Sequence, residues 1–223
     1  MILPFELSDP TVTVEIPYGS IVRKDEYIEK PMQRWIDVTG KLRNGEKYGV
    51  TVVNDGVYSY DFRNGKLRIT LLRSPLYAHH TPYKAKEYSK DEYTDQGIHK
   101  YRFLIIPRKG DVDKSMAVEM ASVLNNPPIG VLTFPHSGHY GHEKSFLKVE
   151  PDNVKVEVIK KGEKSDDIIV RLYEVEGKKT KGQLSLLGSE FDFEIGEYEI
   201  KTFSLNLAKK RIKEVNMLED LVE

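Results

Sequence analysis

Three histidines, His136, His139 and His142, recur at every third position in a stretch that also holds two glycines and a proline. Neutral imidazole is a good zinc ligand. A flexible loop with this spacing fits no established ligand pattern, however, and solvated loop histidines account for it better. His79 and His80 are adjacent, so in an extended chain they point to opposite sides and chelate poorly together. Acid–base work needs carboxylates that converge on a reacting bond. Asp55 and Asp61 are the best placed, both at strand ends beside a hairpin, with Tyr58, Tyr60 and Arg73 able to bond hydroxyl groups. Each has a plainer alternative: Asp55 serves a turn, Asp61 is an exposed strand residue, and the tyrosines are half-buried in strands. Arg171, inside an apolar strand, needs a partner if it is buried, and Glu174 or another carboxylate could supply it. There is no Gly-rich phosphate loop and no serine in a nucleophile elbow.

These side chains depend on residues 48–75 for their placement. Residues 49–53 are short, β-branched and almost wholly apolar, the pattern of a strand buried on both faces. Asn54-Asp55-Gly56 turns the chain, because Asn and Asp bond their own backbone and Gly accepts positive φ. Asn64-Gly65 is a strong hairpin signal, and residues 66–72 read as the returning strand.

Around this centre, residues 11–16 alternate with the period of a half-exposed strand. Residues 21–31 are charged and read as loop or edge. Residues 33–38 form a short strand that carries Trp35, which reads as a core anchor, the alternative being a sugar-stacking platform. Residues 77–93 read as a long polar loop. Residues 100–106 form a strand closed by Pro107. Residues 111–124 form the only convincing helix, capped by Asp111 or Asp113, with Met116, Met120, Val123 and Leu124 on one face, and stopped by Asn125-Asn126-Pro127-Pro128. Residues 130–134 could pair as a strand. From residue 154 onward short strands alternate with Gly and charged turns, as in a sandwich. Residues 209–223 suit either a last strand or a short amphipathic helix.

At 223 residues the chain is one domain, with a sub-boundary expected near 144–153, before the second run of strands. It has 34 Lys plus Arg against 35 Asp plus Glu, without the basic excess of a nucleic-acid binder. No cysteine means no disulfide, thiolate metal site or Cys nucleophile. The first ten residues do not read as a signal peptide, and no apolar run reaches the roughly 18 residues of a membrane span. A soluble, cytoplasmic protein is expected. The 31% charged fraction, rich in Lys and Glu, is of the kind seen in thermophile proteins.

The motifs resemble a family. Asn54-Asp55, then Tyr58-Ser59-Tyr60-Asp61, then Leu71-Leu72-Arg73-Ser74-Pro75 are similar to the C-terminal β-region of the family 38 α-mannosidases. Arg34-Trp35-Ile36-Asp37-Val38-Thr39-Gly40 resembles the family's RW-D-S/T segment, and residues 95–103 its D-x-G-x-H-x-F strand start. Arg171-Leu172-Tyr173-Glu174 resembles its LRLYE strand, and Glu199-Ile200-Lys201-Thr202 its E-I-K-T close. The likeness is close over residues 11–107, looser over 148–207, and absent from 111–143.

The resemblance implies an all-β fold with one helix, of the galactose mutarotase-like β-supersandwich kind. It implies hydrolysis of terminal α-mannosides with retention. The family's aspartate nucleophile and its divalent metal, usually zinc, belong to an amino-terminal α/β barrel. This chain shows no α/β alternation and none of the family's metal motifs, so no catalytic residue and no metal ligand carries over. What remains are substrate-side roles for Asn54, Asp55, Tyr58, Asp61 and Arg73. The implied partners are the catalytic barrel and a mannose-containing saccharide, with no nucleic acid and no membrane; homo-oligomerisation is left open. Two other readings stand beside this one: a free-standing carbohydrate-binding module, and a mutarotase-type sugar epimerase using His99 with a nearby carboxylate.

Overall fold

The computed structural model describes residues 1–24, 26–75 and 93–221. The expected polar loop, apart from Tyr93, and the His79-His80 pair lie outside these residues. The described chain is sixteen strands and one helix, all-β as expected, in four antiparallel sheets. It divides into two compact units. The first comprises Met1–Val14, Val22–Val112 and Met120–Asn125; the second comprises Glu15–Ile21, Asp113–Glu119 and Asn126–Glu223.

The early strands are β1 (Ile2–Pro4), β2 (Ser8–Ile16), β3 (Gly19–Arg23), β4 (Glu26–Pro31), β5 (Trp35–Lys41), β6 (Lys47–Asn54), β7 (Ser59–Arg63), β8 (Lys66–Ile69) and β9 (Phe103–Lys109). They form a five-stranded sheet, β3-β2-β5-β6-β9, and a four-stranded one, β1-β8-β7-β4. β6 lies inside the sheet, between β5 and β9, and is buried on both faces from Thr51 onward, as its sequence predicts. The β7–β8 hairpin closes through Asn64 at φ 50° and Gly65 at φ 65°, the left-handed pair that an Asn-Gly turn supplies at least cost. The charged stretch at residues 21–31 contributes two strands, β3 and β4, and both lie at sheet edges.

Two expectations here are corrected. In β2 the alternation does not mark a solvent face: Thr13 and Glu15 are buried along with Val12 and Val14. Thr13 lies beside Asp37 in register, so the second face is covered around polar groups rather than wetted. β9 does not stop at Pro107 but runs through it to Lys109, because β9 is an outer strand and Pro is tolerated there.

The helix α1 spans Lys114–Asn125, with Asp113 as its cap: the Met116 N–H donates to Asp113 Oδ1 at 2.8 Å. Its buried residues are Ala117, Val118 and Ala121, whereas Val123 is exposed. The expected Met/Leu face is therefore displaced, and small residues spaced by four take its place.

The later strands are β10 (Leu147–Glu150), β11 (Val154–Lys161), β12 (Ile168–Glu174), β13 (Thr180–Leu186), β14 (Ser189–Ile195), β15 (Ile200–Asn206) and β16 (Arg211–Val215). They form two sheets, β10-β13-β14 and β11-β12-β15-β16. Leu184, Leu186, Phe193 and Ile195 of the first sheet pack with Val154, Val170, Leu172, Phe203 and Leu205 of the second. Apolar positions at period two meet in one core, which makes this unit a β-sandwich. The ambiguous tail resolves as a strand, β16, paired with β15. Residues 130–134 form no strand.

Candidate functional site

The five residues singled out from sequence sit in the first unit, around the turn between β6 and β7 and beyond β8. Asn54 is buried and its side chain is fully used. Its Oδ1 accepts the Gly56 and Val57 N–H groups at 3.0 and 2.8 Å, and its Nδ2 donates to the Gln33 carbonyl at 2.9 Å. Asp55 accepts from the Arg102 N–H at 2.9 Å and from Arg102 Nε at 2.7 Å, while the same guanidinium reaches the Leu124 carbonyl at 3.2 Å. Burial pushes the Asp55 carboxyl up, but the Arg102 bonds outweigh it and hold it below the usual range. Asp61 lies across from Arg68 in register and accepts its Nε at 2.7 Å. These three residues thus bind parts of their own fold together.

The other two differ. Tyr58 is 60% exposed and its hydroxyl has no partner among the described residues. Arg73 is exposed and pairs with Glu29 on β4. Glu29 also accepts from Ser59 Oγ at 2.6 Å and from Thr70 Oγ1. The Ser59 hydroxyl, then the Thr70 hydroxyl, then Arg73 hold the Glu29 carboxyl down at about 2. Tyr58 therefore stands one residue from an exposed, charged cluster that draws on β4, β7 and the segment after β8. Glu29 escaped the sequence reading because it lies in a run of charges with nothing local to mark it.

Two buried carboxylates were not legible as sites at all. Asp37 on β5 is fully buried and meets Arg108 of β9 in a two-pronged pair, with Nη2 to Oδ1 at 2.9 Å and Nη1 to Oδ2 at 2.5 Å. Thr39 and Thr51 donate to the same carboxylate at 2.6 and 2.7 Å. A Cβ on Gly49 would come within 2.7 Å of Arg108 Nη2, so glycine leaves room for the guanidinium. The RW-D-x-T motif is thereby explained as architecture: Trp35 is core and not a sugar platform, Asp37 and Thr39 hold Arg108, and Arg34 reaches Ser122 Oγ at 3.4 Å.

In the second unit Glu174 is also fully buried. It accepts from Asn153 Nδ2 at 2.9 Å and from the N–H groups of Glu176, Gly177, Lys178 and Tyr198 at 2.7, 2.7, 3.1 and 3.1 Å. Arg171 does not use it; its Nε donates to Thr202 Oγ1 at 3.1 Å and its Nη2 to the Met217 carbonyl at 3.3 Å. Half-exposed at the sheet surface, Arg171 is served by neutral oxygens and needs no carboxylate.

His99 is exposed, with Nε2 at 2.7 Å from the Asp95 carbonyl and its ring stacked on Tyr101. Its hydrogen-bond partner among the described residues is a neutral carbonyl, where the epimerase reading called for a carboxylate. His136, His139 and His142 are all exposed, and His136 Nδ1 lies 2.9 Å from the Ser137 carbonyl. Among the described residues no group of three or more His, Asp or Glu is arranged to hold a metal ion. No helix among them is long and apolar enough to cross a membrane.

The described chain is thus a two-unit, sheet-rich module. Family models match the chain in order: the glycosyl hydrolases family 38 C-terminal domain over residues 1–82, and the glycosyl hydrolases family 38 C-terminal beta sandwich domain over residues 153–222. The chain belongs to glycosyl hydrolase family 38, as part of its C-terminal region.

Among curated proteins it is 27% identical over 175 residues to alpha-mannosidase G of Dictyostelium discoideum, covering 74% of this chain and 14% of that one. It is 26% identical over 186 residues to alpha-mannosidase 2C1 of Homo sapiens, covering 78% of this chain and 16% of that one. An alpha-mannosidase from Enterococcus faecalis V583 shares the fold, with a TM-score of 0.70 at 14% identity over 92% of this chain and 25% of that chain. A second Enterococcus faecalis structure, of a protein in glycosyl hydrolase family 38, gives a TM-score of 0.69 at 14% identity over 92% of this chain and 26% of that chain. The chain thus spans about a seventh of the curated relatives it matches.

Proposed function

We propose that this chain is the C-terminal β-region of an α-mannosidase, which supports a separate catalytic domain and closes one side of its substrate pocket. The observation that carries the reading is the ordered match of two family 38 C-terminal models along one chain. The relatives with matching sequence are named as α-mannosidases, and each is several times longer than this chain. Bond cleavage, the aspartate nucleophile and the divalent metal, zinc in the first instance, are assigned to that catalytic domain. There the ion would supply substrate orientation and charge stabilisation. This chain's contribution is binding and positioning, in the cytoplasm.

Of the five substrate-side candidates, Tyr58 and Arg73 are the ones with groups facing outward, and we assign them the contact with saccharide hydroxyls. Glu29 fixes the Arg73 guanidinium, and Ser59 and Thr70 fix Glu29. Asn54, Asp55 and Asp61 keep the turn and the hairpin in shape beneath them.

The test is an aryl α-mannoside assay with and without a family 38 catalytic domain. The chain alone, with zinc added, is expected to give no turnover; turnover by the chain alone would overturn the reading. In the assembled enzyme, Arg73→Ala is expected to raise KM with little change in kcat, the signature of lost uniform binding. Isothermal calorimetry with mannose on the isolated chain separates this from a free-standing binding module, which would bind without the catalytic domain.

A further inference from the structure

We propose that the second unit carries a binding pocket for a small phosphate monoester, between the β13–β14 turn and the β15–β16 turn. It stands apart from the saccharide contact assigned to Tyr58 and Arg73, which lie in the first unit. The sequence supplies the charge. Lys209, Lys210, Arg211 and Lys213 fall within five positions that hold no acid, in a chain whose net charge is only -1. The backbone, not these side chains, shapes the turn: Asn206 pairs with Arg211 as the last rung, and Asn206 Oδ1 accepts the Lys209 N–H at 2.9 Å.

A basic hairpin turn is ordinarily just a solvated one, so the surroundings decide. Elsewhere in the same unit lysines are neutralised. Lys160 has Glu163 at 2.6 Å, Lys161 has Asp166 at 2.7 Å and Lys164 has Asp220 at 2.5 Å. The side chains of Lys209, Lys210, Arg211 and Lys213 have no such partner among the described residues. Lys210 and Arg211 also border a recess of about 240 Å³. Across it lies the two-residue β13–β14 turn, Leu187 at φ 50° and Gly188 at φ 83°. The Gly188 N–H meets no backbone acceptor among the described residues, and the Ser189 hydroxyl is likewise without a partner there. Glu190 lines the recess too, and it pairs with neither cation.

Two cations and two neutral donors around one recess call for an anion with several acceptor oxygens. A phosphate monoester offers three, with a charge of about −1.5 to −2, and Arg meets it with two parallel bonds. The floor adds a second requirement. Leu205 is buried there, and Leu207 and Ile212 are half-buried. A bare ion leaves that apolar floor wet, whereas the carbons of an ester cover it. The recess has the space of about eight waters at roughly 30 Å³ each, which suits a three-carbon ester such as glycerol 3-phosphate. Glu190 opposes the ligand, so its charge sets an upper bound on affinity that a variant can lift.

The experiment titrates the full 223-residue chain with glycerol 3-phosphate and, separately, inorganic phosphate, read by calorimetry and by the amide resonance of Gly188. The ester is expected to bind with a Kd of about a millimolar or below, more tightly than inorganic phosphate, and to move the Gly188 signal. Arg211→Ala is expected to weaken it about tenfold and Lys210→Ala about threefold. Glu190→Gln is expected to tighten it about twofold, a gain that a loss of fold would not produce. All three side chains are exposed, so the variants should keep the wild-type unfolding midpoint. Inorganic phosphate binding as tightly as the ester would remove the organic part of the ligand and overturn the assignment. So would an unmoved Gly188 resonance, or an affinity indifferent to Arg211→Ala. Capture by phosphatidic acid vesicles, with no response to the soluble ester, would give the basic turn to a membrane surface instead.

Discussion

Asp37 in the first unit and Glu174 in the second are both wholly buried carboxylates, and the two are held in opposite ways. In the first, Asp37 faces the Arg108 guanidinium, with two threonine hydroxyls completing its shell. In the second, Glu174 sits among neutral donors: the Asn153 amide and four backbone N–H groups, three of them from the turn residues Glu176, Gly177 and Lys178. The first arrangement ties three strands through side chains contributed by β5, β6 and β9. The second ties the end of β12 to the β12–β13 turn and to the start of β15 through the backbone itself. A paired charge can be orphaned by removing its partner, whereas a charge held by amides keeps most of its donors whatever side chains are exchanged nearby.

The comparison is broken most strongly at Arg108. Arg108→Met leaves the buried Asp37 carboxyl without its cation, and is expected to cost roughly 3–5 kcal/mol in urea unfolding. The double variant D37V/R108M should recover most of that loss, since apolar residues of similar volume replace a buried pair at little cost. A double variant no better than Arg108→Met would show that the threonines, not the ion pair, dominate the site.

Glu174→Gln comes next. One amide oxygen must serve donors that two carboxylate oxygens now satisfy, and the amide NH₂ faces N–H groups. The expected loss is about 2–3 kcal/mol, read from the same transition. This site also carries a pH signature. Burial alone pushes the Glu174 carboxyl above its ordinary 4.5, but the bonds from Asn153 and from the Tyr198, Glu176 and Gly177 N–H groups win and hold it below. A lowered folded-state value means the unfolded chain takes up its proton first as pH falls. Stability from Glu174 is therefore full above about pH 4.5 and drains away below it. Wild type and Glu174→Gln should converge on acidification; a gap that stays constant from pH 6 to pH 3 would refute the assignment.

The smallest effect is expected at Asn153→Ala, about 1–2 kcal/mol, because one of five donors to Glu174 is lost and the backbone donors remain. A loss as large as that of Arg108→Met would mean the amide, not the backbone, organises the site.

What was legible in the sequence follows from how far apart the partners lie. The Asn64-Gly65 hairpin, the Asn54 turn, the Asp113 cap and the apolar runs of β6 and β12 are decided within a few residues, so local chemistry exposes them. Arg108 lies 71 residues from Asp37, and Tyr198 lies 24 from Glu174, so no local pattern announces either network. The alternation in β2 reads as a half-exposed strand and is not one, because the polar face is buried too, with Thr13 paired in register to Asp37, a residue far away in sequence. The same limit applies to Glu29, whose partners Ser59, Thr70 and Arg73 come together only through the pairing of β4 with β7. Family motifs carried further than periodicity, yet RW-D-x-T marks the scaffold and not the substrate.

Pro107 stands within β9, opposite Val50, at the margin of the five-stranded sheet. An amide that cannot donate, on a ring that projects from the ribbon, offers an incoming peptide an incomplete template. The sheet is thereby closed to strands from neighbouring molecules along that border. A chain with such a border can crowd against its own copies without being recruited into fibrils from this side.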